Sequence, residues 1–371
     1  MILISKIPLI VFLVATGMQL LYWGGLYSRL IGKIPTSYPP KQQREGVSVI
    51  ICVKNEAENL QKNLPVILSQ RYPKFEVIVV NDHSDDNSWE IILHFKENSC
   101  ILQPISLGRE SSLGKKEALS RGIAASKYDL LLLTDADCSP ASPDWISKMV
   151  DGLRGEKKIG LGYGPFYTHK GFLNTISIYE TVLTAISYLS FSVVGLPYMG
   201  VGRNLIYRKS LFESAGGFRK HAHIQSGDDD LFVNQVANKN NTTMIIEPSA
   251  FVFSEAKTDW RGYYYQKSRH LSTASSYRPV HKVLLGGFSA SHFMHYFGLM
   301  VLLFFHHYLW IVAIGYGVRM LMVVYVMGSL SGKLGAKKII PFIPILDFLY
   351  VCYYLIFAPS LLNKAKTKKW K

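Results

Sequence analysis

The sequence predicts an α/β fold with a mostly parallel sheet, flanked by an N-terminal transmembrane helix and by C-terminal membrane helices. Three observations predict it. Short apolar runs alternate with helical patterns in the middle of the chain. Several of those runs end in polar or acidic turns, at the edge where parallel sheets bind ligands. Long uncharged stretches lie toward both ends.

Between Lys6 and Arg29 no residue is charged, and Ile7 to Leu26 suffices for one crossing at about 20 residues per helix. A cleavable signal peptide is disfavoured, because no small-x-small site follows before Tyr22-Trp23. The stretch Leu284 to Val318 continues past Arg319 to Leu330 and holds two helices, with a turn near His306, His307 and Tyr308. The segment Ile339 to Leu362 carries Pro341, Pro344, Pro359 and the acid Asp347. That composition suits a broken, re-entrant or interfacial segment as well as a clean span. A segment that dips in and returns is favoured, since it leaves the basic tail on the same side as the other bases.

Of 371 residues, 41 are Lys or Arg and 26 are Asp or Glu, a formal charge of +15. Only 18% are charged, against roughly 25% in soluble domains, and 49% are apolar. Disordered, collagen-like and low-complexity classes are thereby excluded. Arg29, Lys33, Lys41 and Arg44 follow the first span, Lys333, Lys337 and Lys338 follow the hairpin, and Lys364, Lys366, Lys368, Lys369 and Lys371 form the tail. The positive-inside rule places these clusters, and the middle region, in the cytoplasm at the cell membrane. The surplus charge then serves attraction to anionic membrane lipids. No nucleic-acid partner is expected, because the bases flank apolar runs instead of interleaving with aromatics. Cys52, Cys100, Cys138 and Cys352 stand far apart, which argues against a disulfide scaffold or zinc site and suits a reduced compartment.

The chain divides into an anchor (1–28), a basic linker (29–45), a globular α/β unit (46–283), a membrane hairpin with a re-entrant or third membrane segment (284–363), and a basic tail (364–371). Within the globular unit, Val47 to Val53 reads as a buried strand ending in Lys54-Asn55-Glu56, and Ala57 to Ser69 as a helix. Phe75 to Val80 is a second strand, ending in Asn81-Asp82-His83-Ser84-Asp85-Asp86-Asn87. Leu130 to Thr134 is another, ending in Asp135-Ala136-Asp137. Polar groups gathered at one sheet edge are what a nucleotide site needs.

Asp135 and Asp137, one residue apart after an apolar strand, can together hold a hard divalent cation that bridges to a diphosphate. By itself such a pair is more often an ordinary acidic turn. Asp228-Asp229-Asp230 precedes an apolar helical pattern and suits a helix N-terminus. Three acids exceed what capping requires, and crowded carboxylates raise one another's pKa, one way to make a general base. His221 and His223 have the spacing of a metal pair, but loop histidines are usually solvated. Phe172, Ile176, Tyr179, Leu183, Ile186 and Val193 fall near helical spacing, with Glu180 the sole charge. That helix either closes the core or lies at the membrane interface as a cradle for a lipid-linked acceptor.

The ordered set of motifs over about residues 46–275 resembles the membrane-bound family 2 glycosyltransferases, inverting enzymes with a GT-A nucleotide-sugar-binding domain. Val49 to Glu56 is similar to their first strand and Asn-Glu turn, and Val79 to Asp86 to the segment whose aspartate reads the nucleobase. Gly114-Lys115-Lys116-Glu117-Ala118-Leu119 matches their G-K-x-x-A-L segment, and Asp135-Ala136-Asp137 their metal-binding D-x-D. Gly202 to Arg208, Phe212-Glu213 and Gly216-Gly217-Phe218 are similar to the acceptor-side stretch. Gly227-Asp228-Asp229 resembles the motif of the catalytic base, and Gln266-Lys267-Ser268-Arg269-His270 the Q-x-x-R-W element. The sequence departs from the pattern at His270, in place of Trp, and at Asn81, in place of the first Asp of the base-reading segment.

The resemblance implies an inverting sugar transfer from a nucleotide sugar, foremost a UDP-sugar, to a hydroxyl acceptor that is a lipid or lipid-linked glycan. It implies Asp229 as catalytic base, Mg2+ or Mn2+ on Asp135 and Asp137, and donor contacts through Val53, Asn55, Glu56, Asp82, Lys115, Asp135, Gln266 and Arg269. The alternative is a non-catalytic nucleotide-binding membrane protein: a scaffold, receptor or transporter. Its phosphate loop is missing. Gly108 to Lys116 has five residues between its glycines where a P-loop has four, and Lys116 stands where Ser or Thr is needed.

Overall fold

A computed structural model of the chain describes residues 2–35, 37–108, 114–224 and 226–362. The basic tail expected at 364–371, and most of the Gly108–Lys116 loop, lie outside the described residues.

The helix α1 (Ile2–Leu20) continues through a π-helical turn, Leu21–Leu26, and a 3-10 turn, Tyr27–Leu30. The α/β unit follows in order: β1 (Val47–Val53), α2 (Ala57–Leu68), β2 (Phe75–Asn81), α3 (Ser88–Glu97), β3 (Leu102–Ser106), α4 (Lys115–Ala125), β4 (Leu130–Asp135), β5 (Cys138–Pro140), α5 (Trp145–Gly152) and β6 (Ile159–Leu161). After α6 (Phe172–Val193) come β7 (Leu205–Arg208), α7 (Lys209–Ser214), α8 (Asp230–Val236), β8 (Thr242–Met244), β9 (Val252–Ser254) and α9 (Trp260–Leu271). Three long helices close the described chain: α10 (Pro279–Leu302), α11 (Leu309–Lys333) and α12 (Ile343–Leu362).

Seven strands form one sheet in the order β3-β2-β1-β4-β7-β6-β8, parallel from β3 to β4, with β7 antiparallel to both β4 and β6. The predicted strands thus stand side by side, and Asn55-Glu56, Asp82 and Asp135 fall at their carboxyl ends. All seven residues of β1 are buried, because helices cover both faces and leave no alternation of polar side chains. Val49, Ile51, Val77 and Val79 pack toward α2, α3 and α5. Ile50, Ile78 and Val80 pack toward α4 and the cluster that continues into α6 and α11. A Cβ at Gly122 of α4 would come within 2.7 Å of Ile50, so a residue without a side chain lets helix and sheet approach.

Segments Lys6–Leu30, Phe172–Val193, His306–Lys333 and Lys337–Pro359 are long and apolar enough to cross a membrane, marking a membrane protein. The two helices expected as a hairpin, α10 and α11, are present with their turn at His306–Tyr308, but of the two only α11 is among the segments apolar enough to cross a membrane. The C-terminal segment, expected to dip in and return, is one unbroken helix over Ile343–Leu362: Pro344 lies in its first turn, where a missing N–H costs little, and the helix continues through Pro359. Most of α6 is buried: it closes the core of the α/β unit. Between the long helices, Arg319 of α11 is fully buried, hydrogen-bonded to both Asp347 oxygens on α12 and to Gln19 of α1 at 3.0 Å. All four cysteines are unbridged.

Candidate active site

The end of β4 delivers Asp135, and the turn into β5 delivers Asp137 and Cys138. Ligand atoms of these three lie within 4.8 Å of one another. The Cys138 thiol is buried, pushed well up in pKa, and donates to Asp137 Oδ1 at 3.3 Å. It remains a neutral thiol beside the two carboxylates. Burial, and then the charge of Asp135, raise the Asp137 pKa. Two oxygen donors whose mutual repulsion needs a counter-charge fit a hard divalent cation, so the residues present suit the metal that the resemblance implies.

Helix α4 brings a cation to the same place. Lys115 Nζ lies 2.8 Å from Asp135 Oδ1 and 3.1 Å from Asp228 Oδ2. Burial opposes its charge, but Asp135 and Asp228 outweigh that and lift its pKa well above the ordinary value. Lys115 is therefore a bridge between the strand end and the acidic triplet, not a solvated base at a helix start. Its neighbour Lys116 donates to the carbonyls of His221 and Ile224, both at 2.7 Å, and fixes the loop ahead of the triplet. The His221 ring is buried, and burial lowers its pKa to about 4; it belongs to no metal-ligating group among the described residues.

Each member of the triplet has a different environment. Lys115 overcomes burial at Asp228 and lowers its pKa. Asp230 turns away, accepting from Thr273 at 2.5 Å and Tyr277 at 2.7 Å. Asp229 sits between them, accepting from the Gly202 amide at 2.6 Å and the Asp230 amide at 2.7 Å. Burial first, then the charges of Asp228 and Asp230, push its pKa up to about 7. Asp229 is both the N-cap of α8 and a carboxylate poised near neutrality. Gly227, at φ +90°, supplies the left-handed turn that aims the triplet inward.

One cavity of about 1450 Å³ joins Glu56, Lys115, Asp135, Asp137, Asp229, Gln266 and Arg269. Val53, Asn55 and Asp82 do not line it; they stand beside it at the ends of β1 and β2. The Val53 carbonyl accepts from the Asp82 amide at 2.8 Å, which ties those two ends together. Asn55 adopts φ +56° and accepts from the Asp85 amide at 2.8 Å, and Asp82 Oδ1 pairs with the His83 ring at 2.8 Å. Burial raises the pKa of Glu56. Arg203, assigned no individual role from sequence, stacks 4.7 Å over Phe166, donates to Ser254 at 2.7 Å and lines the cavity near Asp137. Its neighbour Asn204 is structural, fully buried and bonded to Trp145, Tyr163 and Ala250.

Residues 48–215 match the profile of the family described as glycosyl transferase family 2. The chain is 30% identical over 208 residues to a poly-beta-1,6-N-acetyl-D-glucosamine synthase of Staphylococcus epidermidis, covering 53% of this chain and 49% of that protein. A synthase of the same name from Staphylococcus aureus is 30% identical over 147 residues, 38% of this chain and 35% of that protein. The chain thus spans about half the length, or less, of these relatives. A mannosyltransferase from Pyrobaculum calidifontis, solved in complex with GDP-Man and Mn2+, superposes with a TM-score of 0.60 at 18% identity, covering 90% of this chain and 98% of that one. The shared fold is the GT-A type, and the similarity to glycosyl transferase family 2 is carried by residues 48–215.

Proposed function

We propose that the chain transfers a sugar, with inversion, from a nucleotide sugar to a hydroxyl acceptor at the cytoplasmic face of the membrane. The acceptor is a lipid or lipid-linked glycan, and a UDP-sugar is the donor class the resemblance favours. The observation that carries this reading is the placement of Asp229, with its pKa near 7, in one cavity with Asp135, Asp137 and Arg269.

Asp229 takes the proton of the acceptor hydroxyl as that oxygen attacks C1 of the donor sugar. The C1–phosphate bond breaks on the opposite face, so the anomeric centre inverts and a nucleoside diphosphate leaves. Mg2+ or Mn2+ held by Asp135 and Asp137 would supply charge neutralisation at that leaving group. Arg269, always charged and able to make bidentate contacts, pairs with the diphosphate, and Gln266 stands one helical turn away on the same face of α9. Val53, Asn55, Glu56 and Asp82 hold the nucleoside end, beyond the ends of β1 and β2. In a non-catalytic nucleotide-binding role Asp229 would serve only as the N-cap of α8, which asks for no pKa near 7.

The test is donor-dependent release of nucleoside diphosphate by the full chain in membranes, screened across UDP- and GDP-sugars, with UDP-N-acetylglucosamine first. Release by the wild type and its loss in Asp229→Asn support the proposal. Binding without release for every donor favours the non-catalytic alternative.

A further inference from the structure

The cavity is larger than the roughly 300–1,000 Å³ that one small ligand needs, and it extends away from the catalytic carboxylates to α6, α10 and α12. Along α6, Glu180, Thr184 and Ser187 all line it. They stand at i, i+4 and i+7, a single stripe about 10 Å long at 1.5 Å rise per residue. This stripe interrupts a helix otherwise apolar enough to span a bilayer.

Glu180 is the centre of a buried polar cluster drawn from three helices. Its Oε2 lies 2.9 Å from Lys267 Nζ of α9 and 2.8 Å from the Tyr263 hydroxyl, and its Oε1 accepts from Tyr353 of α12 at 3.1 Å. Glu180, Lys267 and Tyr263 are each less than a tenth exposed. The tyrosines continue the wall. Tyr350 and Tyr353 stack at 4.7 Å with an angle of 8° between rings, and Tyr354, Tyr264 and Tyr265 line the same cavity. The other end of the α6 stripe connects to the catalytic triplet. Ser187 bonds Tyr198 at 3.0 Å, the Tyr198 ring lies 5.8 Å from that of Tyr277, and Tyr277 donates to Asp230.

This chemistry selects among acceptors. A lipid phosphate gains nothing from a cluster centred on a carboxylate, whose charge repels it. An acyl or isoprenoid chain makes no bond with the carboxylate, ammonium and phenols of this wall. A neutral ligand rich in hydroxyls, with flat C–H faces, is served by every group present: carboxylate and phenol oxygens accept, the ammonium donates, and the rings stack. We infer that Glu180, Thr184, Lys267 and Tyr353 form an acceptor saccharide subsite, so that the acceptor presents an existing sugar, not a bare lipid headgroup, to Asp229. This rests on the transferase reading above and narrows its acceptor class to glycans.

Two variants of the full chain in membranes test it: Glu180→Gln, which keeps size but removes the charge, and Tyr353→Phe, which removes one hydroxyl. With labelled donor, two rates are read: transfer into membrane-bound product, and acceptor-independent release of nucleoside diphosphate to water. The ratio of transfer to release should fall about tenfold or more in each variant, the effect of losing a hydrogen bond to a charged group. Mass spectrometry of the wild-type product should find the labelled sugar attached to at least one unlabelled sugar. A product in which the labelled sugar sits directly on lipid overturns the subsite, as does an unchanged ratio in both variants. Parallel loss of both rates reduces the cluster to a structural tie and also overturns it. Absence of release by the wild type itself is a different failure, that of the transferase reading.

Discussion

The Oδ2 atom of Asp229 lies 2.6 Å from the backbone nitrogen of Gly202. This bond joins the acidic triplet ahead of α8 to the turn ahead of β7, segments far apart in sequence. Space for it exists because residue 202 has no side chain: a Cβ there would sit 3.1 Å from the same oxygen. The amide favours the charged carboxylate, whereas burial and the flanking acids favour the protonated one. The balance leaves Asp229 poised near neutrality.

Asp229→Asn should lower transfer by about 10²–10⁴ while the nucleotide sugar still binds. Both Asp229 oxygens accept from backbone amides, and Asn satisfies only one, so stability should also fall by about 1–3 kcal/mol. Isothermal titration with donor, beside the rate of transfer, separates the two effects. Normal turnover would remove Asp229 as the base.

The pH profile follows from the sign of the shift. As the proposed base Asp229 works deprotonated, so kcat/KM should rise with pH through an apparent pKa of about 7. In Asp228→Asn the like charge beside it is gone, and Lys115 loses a competing partner. Both changes favour the charged form of Asp229, so the rising limb should move to lower pH. A limb that stays in place assigns it to another group.

Asp137→Ala should abolish transfer and weaken donor binding, because the diphosphate charge is left facing Asp135 and Asp228. Chelator should do the same to the wild type, with Mg2+ or Mn2+ restoring it. Full activity of Asp137→Ala in chelator would discard the metal role.

The Arg319–Asp347 pair is fully buried between α11 and α12. Asp347→Ala leaves the guanidinium uncompensated and should cost about 3–5 kcal/mol. Replacing both residues by Leu should recover much of that loss. Thermal unfolding in detergent reads both variants, and a double variant as unstable as the single one contradicts the account.

Residues 30–283 are expected on the cytoplasmic side, where the basic clusters lie. A cysteine introduced at position 40, in a background lacking the exposed Cys100 and Cys352, should resist an impermeant thiol reagent in intact cells. Labelling from outside reverses the topology.

By itself the sequence determined β1, β2 and β4 of the sheet, the long apolar helices toward both ends and the ordered acidic motifs. Buried strands need unbroken apolar runs, bilayer helices need about 20 uncharged residues, and a cation site needs close carboxylates. These are local demands, written in adjacent residues. The strand ends could therefore be named as one edge before their pairing was known. Tertiary structure decided what local pattern leaves open. Three adjacent aspartates acquire distinct roles only because Lys115, Gly202 and Tyr277 arrive from separate elements, and electrostatic shifts depend on distances through space. Lys115 is a bridge instead of a solvated base for the same reason. The proline-bearing C-terminal segment looked broken, but Pro344 falls in the first turn, where proline costs little, and α12 runs on through Pro359. Glu180, a lone charge in an apolar helix, gained its meaning only when α9 and α12 closed around it with Lys267, Tyr263 and Tyr353. A buried charge is set by the partners that folding supplies, and those partners lie far away in the chain.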